Sequence, residues 1–316
     1  MADIGGTNAR FGIVPDGQLA IRYEFHYSVS DYPDFYQLME KLSTDAKECI
    51  GSTEPPSKAC LAVACPAHAE SISFTNSPWE FSIQDLKRFL GCEHLIVIND
   101  FEAIAHGITE LDSNDLIKIG EGIPHHNAPK AILGAGSGLG VAAIVGHSSS
   151  YQVVDGEGGH IDFAPITAMH VEILGYLKKK YSRVSYERVL SGNGLLNLYA
   201  AISSLNERFN SLTEPSEVVA AALDDSDEIA RLTLEVFCEV MGSLAGNLAL
   251  IYGARGGVFI AGGVAPRFKI FMSNSSFRKF FVDKGRFRDY LDGIPTYLVT
   301  RSDTGLIGAL KSLSMI

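Results

Sequence analysis

Leu95 to Asp100 reads Leu-Ile-Val-Ile-Asn-Asp: four apolar, mostly β-branched residues that end abruptly in an amide and a carboxylate. Phe101 to His106 then reads as a helix, so Asn99 and Asp100 fall at the end of a strand. In an open α/β sheet, ligands gather outside the carboxyl ends of the strands. Asp100 is therefore expected at the mouth of a crevice with apolar residues behind it, where a carboxylate can take a proton from a bound hydroxyl.

Three glycine turns accompany this carboxylate. In the first, Asp3 and Ile4 lead into Gly5 and Gly6, followed by Thr7 and Asn8. The paired glycines permit a tight turn whose N–H groups can approach phosphate oxygens, and Thr7 and Asn8 add side-chain donors. Asp3 is placed to hold a water on a Mg²⁺ ion, although the same residues would also make an ordinary hairpin turn. The second turn runs from Gly134 to Gly140 through Gly136, Ser137 and Gly138. Its glycine spacing is wrong for a dinucleotide fold and a strand follows it, not a helix; no G-K-[ST] occurs anywhere, which excludes a P-loop. A glycine turn joining two apolar strands fits a second phosphate hairpin. The third, Gly262-Gly263, ends a strand, and its bare backbone can lie flat against an adenine or a ribose, or serve only as a turn.

Asp155 to His160 reads Asp-Gly-Glu-Gly-Gly-His after a strand. Glu157 and His160 can face one cavity if the glycines fold the chain back. Taken singly, a histidine is more often structural and a glutamate in a glycine-rich loop is usually solvated. With Asn99, Asp100 and Glu187, however, they supply the donors and acceptors that a polyol needs. His125 and His126 are assigned to solvent.

The elements that must position these residues alternate between strand and helix. Met1 to Ile4 is very short for a strand, and the expectation is that further apolar residues once preceded it. Ala9–Val14 and Leu19–Tyr27 read as strands around a turn at Pro15, Asp16 and Gly17. A helix follows from Asp34 to Ile50, with Phe35, Leu38, Met39 and Leu42 on one face, and then a linker from Gly51 to Pro56. Strands at Ala59–Ala64 and Leu95–Asp100 flank a helix at Ser82–Leu90, an alternation that implies parallel crossovers. Asp112 to Pro129 shows no periodicity and reads as the passage between domains. The second half repeats the plan, with strands at Ala131–Leu133, Val141–Val145 and Gln152–Val154. Helices are expected at Thr167–Tyr181, Gly194–Leu205 and from about Asp227 to Tyr252. That last helix carries Gly242, Gly246, Ala249 and Gly253 at helical spacing. Glycine inside a helix costs roughly 0.5–1 kcal/mol, so another backbone is expected close against that face. Strands at Val258–Ala261 and Thr296–Val299 and a helix at Asp303–Leu313 close the chain.

At 316 residues the chain has room for one large or two ordinary domains, and a net charge of −11 argues against nucleic acid as a partner. The five cysteines are scattered without a C-x-x-C pair, which reads as reduced thiols in a cytoplasmic protein. No secretory signal is visible. Ala131 to Val154 lacks charge and is long enough to span a bilayer, but its five glycines, His147, Gln152 and the serines 148–150 argue against a membrane span.

Taken in order, these motifs closely resemble the bacterial glucokinases, of the hexokinase–actin–heat-shock-ATPase superfamily. The resemblance covers nearly the whole chain. It implies an α/β fold of two ribonuclease-H-like lobes (actin-like ATPase) with a central cleft: a small lobe of residues 1–110 completed by 301–316, and a large lobe of 111–300. It implies ATP, Mg²⁺ and D-glucose as ligands, a cytoplasmic enzyme, and a homodimer as is common in the family. Asp3, Ile4, Gly5, Gly6, Thr7, Asn8, Gly136 and Ser137 would fall at the phosphate turns and Gly262 and Gly263 at the adenosine turn. Asn99, Asp100, Gly138, Glu157, His160 and Glu187 would contact the sugar. Asp100 would accept the proton of the 6-hydroxyl as it attacks the γ-phosphate.

Two departures stand out. The first strand is short, and the cysteine-rich zinc motif of the related ROK kinase–repressor family is missing, so His160 is not expected to bind metal. A sugar-sensing repressor on this scaffold would carry a helix-turn-helix ahead of the first turn, where only two residues precede Asp3. A preference for mannose, fructose or an amino sugar stays open, because one or two hydroxyl contacts decide it.

Overall fold

A computed structural model describes the chain except for Asp16, Gly17, Leu19, Ser52, Thr53, His68, Thr75, Asn76, Ser148 and Ser149. The expected turn at Asp16-Gly17, the strand start at Leu19, part of the Gly51–Pro56 linker and two of the serines 148–150 lie outside the described residues. The chain divides into two compact units, Met1–Leu111 with Ser302–Ile316, and Asp112–Arg301.

The first unit is built on strands β1 (Ala2–Ile4), β2 (Asn8–Ile13), β3 (Tyr23–Ser28) and β4 (Lys58–Val63), a small ribbon of β5 (Ser71–Ser73) and β6 (Glu80–Ser82), and β7 (His94–Asn99). The main sheet runs β3-β2-β1-β4-β7: an antiparallel meander followed by two parallel strands. Helices α1 (Phe35–Ile50), α2 (Ile83–Leu90) and α3 (Asp100–Ile108) belong to this unit. Parallel strands buried on both faces read as continuous apolar runs, and β4 alternates its side chains between two cores. Leu61 and Val63 join Phe35, Leu38, Trp79, Phe81 and Leu86, whereas Cys60 and Ala62 join Ala103, Ala309 and Leu313. Helices α1 and α2 start where a side chain caps them: Asp34 accepts from Gln37 N at 3.0 Å and Ser82 accepts from Asp85 N at 3.4 Å.

The second unit contains β8 (Leu116–Ile119), β9 (Lys130–Ala135), β10 (Leu139–His147), β11 (Ser150–Gly156), β12 (Val258–Ala261) and β13 (Thr296–Val299). Its sheet runs β11-β10-β9-β12-β13-β8, the same meander-then-parallel order with one antiparallel edge strand added. Its helices are α4 (Ala168–Leu177), α5 (Gly192–Leu205), α6 (Pro215–Leu223), α7 (Glu228–Tyr252), α8 (Lys269–Asn274), α9 (Phe277–Val282) and α10 (Arg288–Asp292). The chain then returns to the first unit as α11 (Thr304–Leu313). Helix α7 is the one described helix long and apolar enough to cross a membrane; it is mostly buried in the core of its own unit. The backbone expected against its small residues is that of α9: a Cβ on Gly242 would meet the Phe277 carbonyl, and one on Gly246 the Phe281 carbonyl. Gly253 instead ends the helix, in the left-handed region at φ 59°.

Five readings need correction, the first being the strand expected from Leu19: β3 begins only at Tyr23, and residues 20–22 lie outside it. Strand β7 stops at Asn99, and Asp100 is the first residue of α3, because Asn99 caps the helix by accepting from Phe101 N at 2.8 Å. The aperiodic passage 112–129 holds β8, paired with β13. The glycine-rich stretch from Gly134 is narrower as a turn, since Gly134 and Ala135 still pair with β10 and the turn is Gly136–Gly138. Helix α4 ends at Leu177, four residues short of the expected Tyr181.

Candidate active site

In the first unit the site residues project from one edge of the sheet. Ile4 pairs with Val63 and Val63 with Asn99, so the carboxyl ends of β1, β4 and β7 stand in a row. Adjacent strands lie about 4.8 Å apart, which puts the Gly5 turn and Asp100 roughly 10 Å apart on that edge. Asn99 donates through Nδ2 to the Cys65 carbonyl at 3.4 Å, tying β7 to the loop after β4. Half-buried Asp100 accepts from Phe101 N at 2.9 Å through Oδ1. A carboxylate at the first turn of a helix is favoured by the helix dipole.

The β1–β2 hairpin closes with Gly5 N donating to the Asn8 carbonyl at 2.9 Å. Gly5 and Gly6 are half-buried and Thr7 and Asn8 exposed. Ile4 sits wholly in the core, and its carbonyl is taken by Ala64 N at 3.1 Å, so its part in any ligand contact is to hold the strand. Burial raises the pKa of Asp3, and the charge of Arg10, its cross-strand partner, opposes the rise. Arg10 donates to the Ser302 carbonyl just before α11, and a Cβ on Gly305 would stand 2.8 Å from Asp3 Oδ2. The start of α11 thus borders Asp3. Helix α11 also lies against α3 with backbones touching: a Cβ on Gly308 would meet the Ala103 carbonyl, and one on Gly107 the Thr304 carbonyl. These glycines were missed in the sequence, since nothing local announces so distant a partner.

In the second unit the turn Gly136–Gly138 is closed by Gly136 N donating to the Gly138 carbonyl at 2.8 Å. Gly192 N, at the start of α5, donates to the Gly136 carbonyl at 2.9 Å. Glu187 accepts from Leu139 N at 3.0 Å, and a Cβ on Gly138 would stand 2.7 Å from its Oε2. Glu157 precedes and His160 ends a single 3-10 turn, Gly158–His160, with His160 Nε2 3.8 Å from Glu157 Oε2 and both side chains largely exposed. Gly159 packs on the Leu139 carbonyl and Gly158 on Val141. Both the Glu157–His160 turn and Glu187 are therefore seated on the start of β10. Gly262 adopts φ 82° against the Ala135 backbone, and Val264 N donates to the Ala135 carbonyl at 3.1 Å. The turns at Gly136 and Gly262 thus leave the same sheet edge side by side, while a Cβ on Gly136 or Gly263 would meet open space. Exposed Ser137 lies between the glycines of the first turn. His125 and His126 are exposed, with Arg255 2.8 Å from His125 Nε2.

Two sheets of this order, each with glycine turns at its strand ends, define the actin-like ATPase fold of sugar kinases. The glucokinase family model matches residues 1–315. A glucokinase of Hahella chejuensis is 40% identical over 99% of this chain and 96% of its own length. The crystal structure of a glucokinase from an Antarctic psychrotroph is 35% identical, covering 100% of this chain and 98% of that one at a TM-score of 0.85. That of a Balamuthia mandrillaris glucokinase in complex with glucose shares the fold at 21% identity and a TM-score of 0.84, over 98% of this chain and 91% of that one. The chain belongs to the glucokinase family and is a hexose kinase.

Proposed function

We propose that this enzyme transfers the γ-phosphoryl group of ATP to the 6-hydroxyl of D-glucose, giving glucose 6-phosphate, as a cytoplasmic homodimer. The observation that carries the reading is the row of strand ends in the first unit, with Asp100 and the Gly5 turn on one edge two strands apart. Membership of the family and the glucose bound to the Balamuthia relative support the choice of sugar.

In this reading Asp100 accepts the proton of the 6-hydroxyl. Asn99, Glu157, His160, Glu187 and the Gly138 backbone hold the other hydroxyls. The N–H groups of the Gly5–Asn8 turn and the Gly136-Ser137 turn bind phosphate oxygens, and Gly262-Gly263 lies against the adenosine. Phosphoryl transfer depends mainly on such positioning and on charge stabilisation. Asp3 is the residue that would hold Mg²⁺, through water. Its half-buried carboxylate, with its pKa raised by burial, gains from a nearby cation. Among the described residues no cluster of three or more His, Cys, Asp or Glu could cage a metal, and Mg²⁺ usually needs only one or two carboxylates beside waters and phosphates. The ion, when bound, supplies charge neutralisation at the phosphates.

Coupled assays of ADP release over a panel of hexoses test the reading, with glucose expected to give the highest kcat/KM. Asp100→Asn is expected to lower kcat by about 10²–10⁴-fold with little change in glucose affinity. Near-normal turnover in that variant would remove Asp100 from the role of base.

A further inference from the structure

Beneath the proposed sugar contacts lies a buried phenol whose connections go beyond packing. Tyr186 directly precedes Glu187 in a single 3-10 turn and is 1% exposed. Its backbone N donates to the Ile161 carbonyl at 3.0 Å, and Phe163 N donates to the Val184 carbonyl at 3.0 Å. With the bridge between Asp162 and Ser185, these bonds make a short antiparallel ladder. One rail of the ladder follows directly from His160 and the other leads directly into Glu187. Arg183 grips Asp162 across the outside of the ladder at 2.5 and 2.6 Å. On the inside, the ring of Tyr186 meets that of Phe163 edge-on at 5.8 Å. Its hydroxyl is reached by Asn247 Nδ2 at 3.5 Å and lies beside the Ala164 backbone and the Ser243 hydroxyl. Ser243 and Asn247 are one turn apart on α7, a core helix.

We propose that Tyr186 is a positioning residue for the sugar: its hydroxyl locks the ladder to α7 and so fixes Glu187 relative to His160. The inference rests on Glu187 and His160 being sugar contacts. Burial raises the pKa of Tyr186, so the phenol keeps its proton near neutrality. Without the hydroxyl, Asn247 Nδ2 and the Ala164 backbone lose the partner that joins them, and with it the side-chain hydrogen bond tying the ladder to α7. The segment free to move is the ladder, because α7 is held along its length by the core.

Tyr186→Phe keeps the ring and removes only the hydroxyl. It is expected to raise the KM for glucose about three- to ten-fold, the scale of one lost hydrogen bond, with kcat within two-fold or so and the KM for ATP unchanged. A residue needed only for folding would instead lower the amount of active enzyme, and apparent kcat with it, at constant KM. Asn247→Ala reaches the same hydroxyl from the helix side and serves if Tyr186→Phe does not fold. It is expected to raise the glucose KM in the same direction, and the double variant to show less than the product of the two effects. Glu187→Gln, measured in parallel, separates the two claims. If it raises the glucose KM while Tyr186→Phe and Asn247→Ala leave it unaltered, the positioning role is overturned and the sugar site stands. If Glu187→Gln leaves that KM unaltered, the sugar-site reading is overturned and this inference falls with it.

Discussion

Gly138 and Glu187 show how a residue without a side chain can serve one that has a carboxylate. Glu187 reaches Leu139 N at 3.0 Å only because no methyl stands at Gly138, where it would lie 2.7 Å from the carboxylate oxygen. Gly138→Ala is therefore expected to push Glu187 off that N–H. Overpacking of this kind costs about 1–3 kcal/mol, enough to raise the glucose KM roughly five-fold or more. Steady-state kinetics at saturating ATP check this, and an unchanged KM would show that the carboxylate has another resting place. Asp3 is a different case, because its position opposes its charge. Its folded pKa is raised, so below the ordinary carboxylate range, about pH 4, both states are protonated and the residue costs nothing. As pH rises from there through the folded pKa, the unfolded chain releases its proton first, and stability falls until the cost is complete. Asp3→Asn is accordingly expected to melt at a higher temperature than the native chain at pH 7, to lose that advantage below about pH 4, and to be inactive. Equal melting temperatures at pH 7 would show that Arg10 offsets the burial completely.

Helices α3 and α11 pack with no side chain between them at Gly107 and Gly308, and that contact fixes the helix that begins with Asp100. Gly308→Ala would drive a methyl into the Ala103 carbonyl, and relief requires the helices to part. The expected cost is about 1–3 kcal/mol or more in denaturant unfolding, with kcat falling as Asp100 shifts. Gly175 in α4 is the control, since a Cβ there meets nothing within 4 Å. Gly175→Ala should stabilise the chain by about 0.5–1 kcal/mol through helix propensity. If both substitutions moved stability alike, close approach would not be the reason for Gly308. The sequence could announce a bare helix face on α7, because Gly242 and Gly246 recur within one helix. It could not announce Gly107 and Gly308, where each helix contributes one glycine and the partner lies far along the chain. Strands such as β12 and β13 were legible from apolar runs between turns. Strand β8 was not, because Lys118 interrupts its apolar run and its pairing partner β13 is remote. The boundary at Asp100 escaped for a local reason: an Asn that caps a helix looks the same as an Asn that ends a strand. Of the site, the glycine turns and carboxylates stood out by type. Tyr186 did not, since its value comes from three partners that no local pattern brings together.

The two units repeat one strand order, and the residues proposed to hold glucose are divided between them: Asn99 and Asp100 in one, Glu157, His160 and Glu187 in the other. A ligand that binds only the folded form stabilises whatever it holds, by about 2.7 kcal/mol at a hundred times its Kd. Glucose is therefore expected to slow amide hydrogen exchange around the start of α3 and also in the 157–164 and 184–191 segments, and to raise the melting temperature. The variants sort the contributions. Asp100→Asn keeps the hydrogen-bonding shape of the side chain and should retain most of the thermal shift while losing turnover. Glu187→Gln should lose much of the shift, because a neutral amide receives the sugar hydroxyls less well than a carboxylate. Protection by glucose confined to one unit would mean that the other unit's residues have been assigned to the wrong ligand, and the division of labour proposed for the two sheets would have to be redrawn.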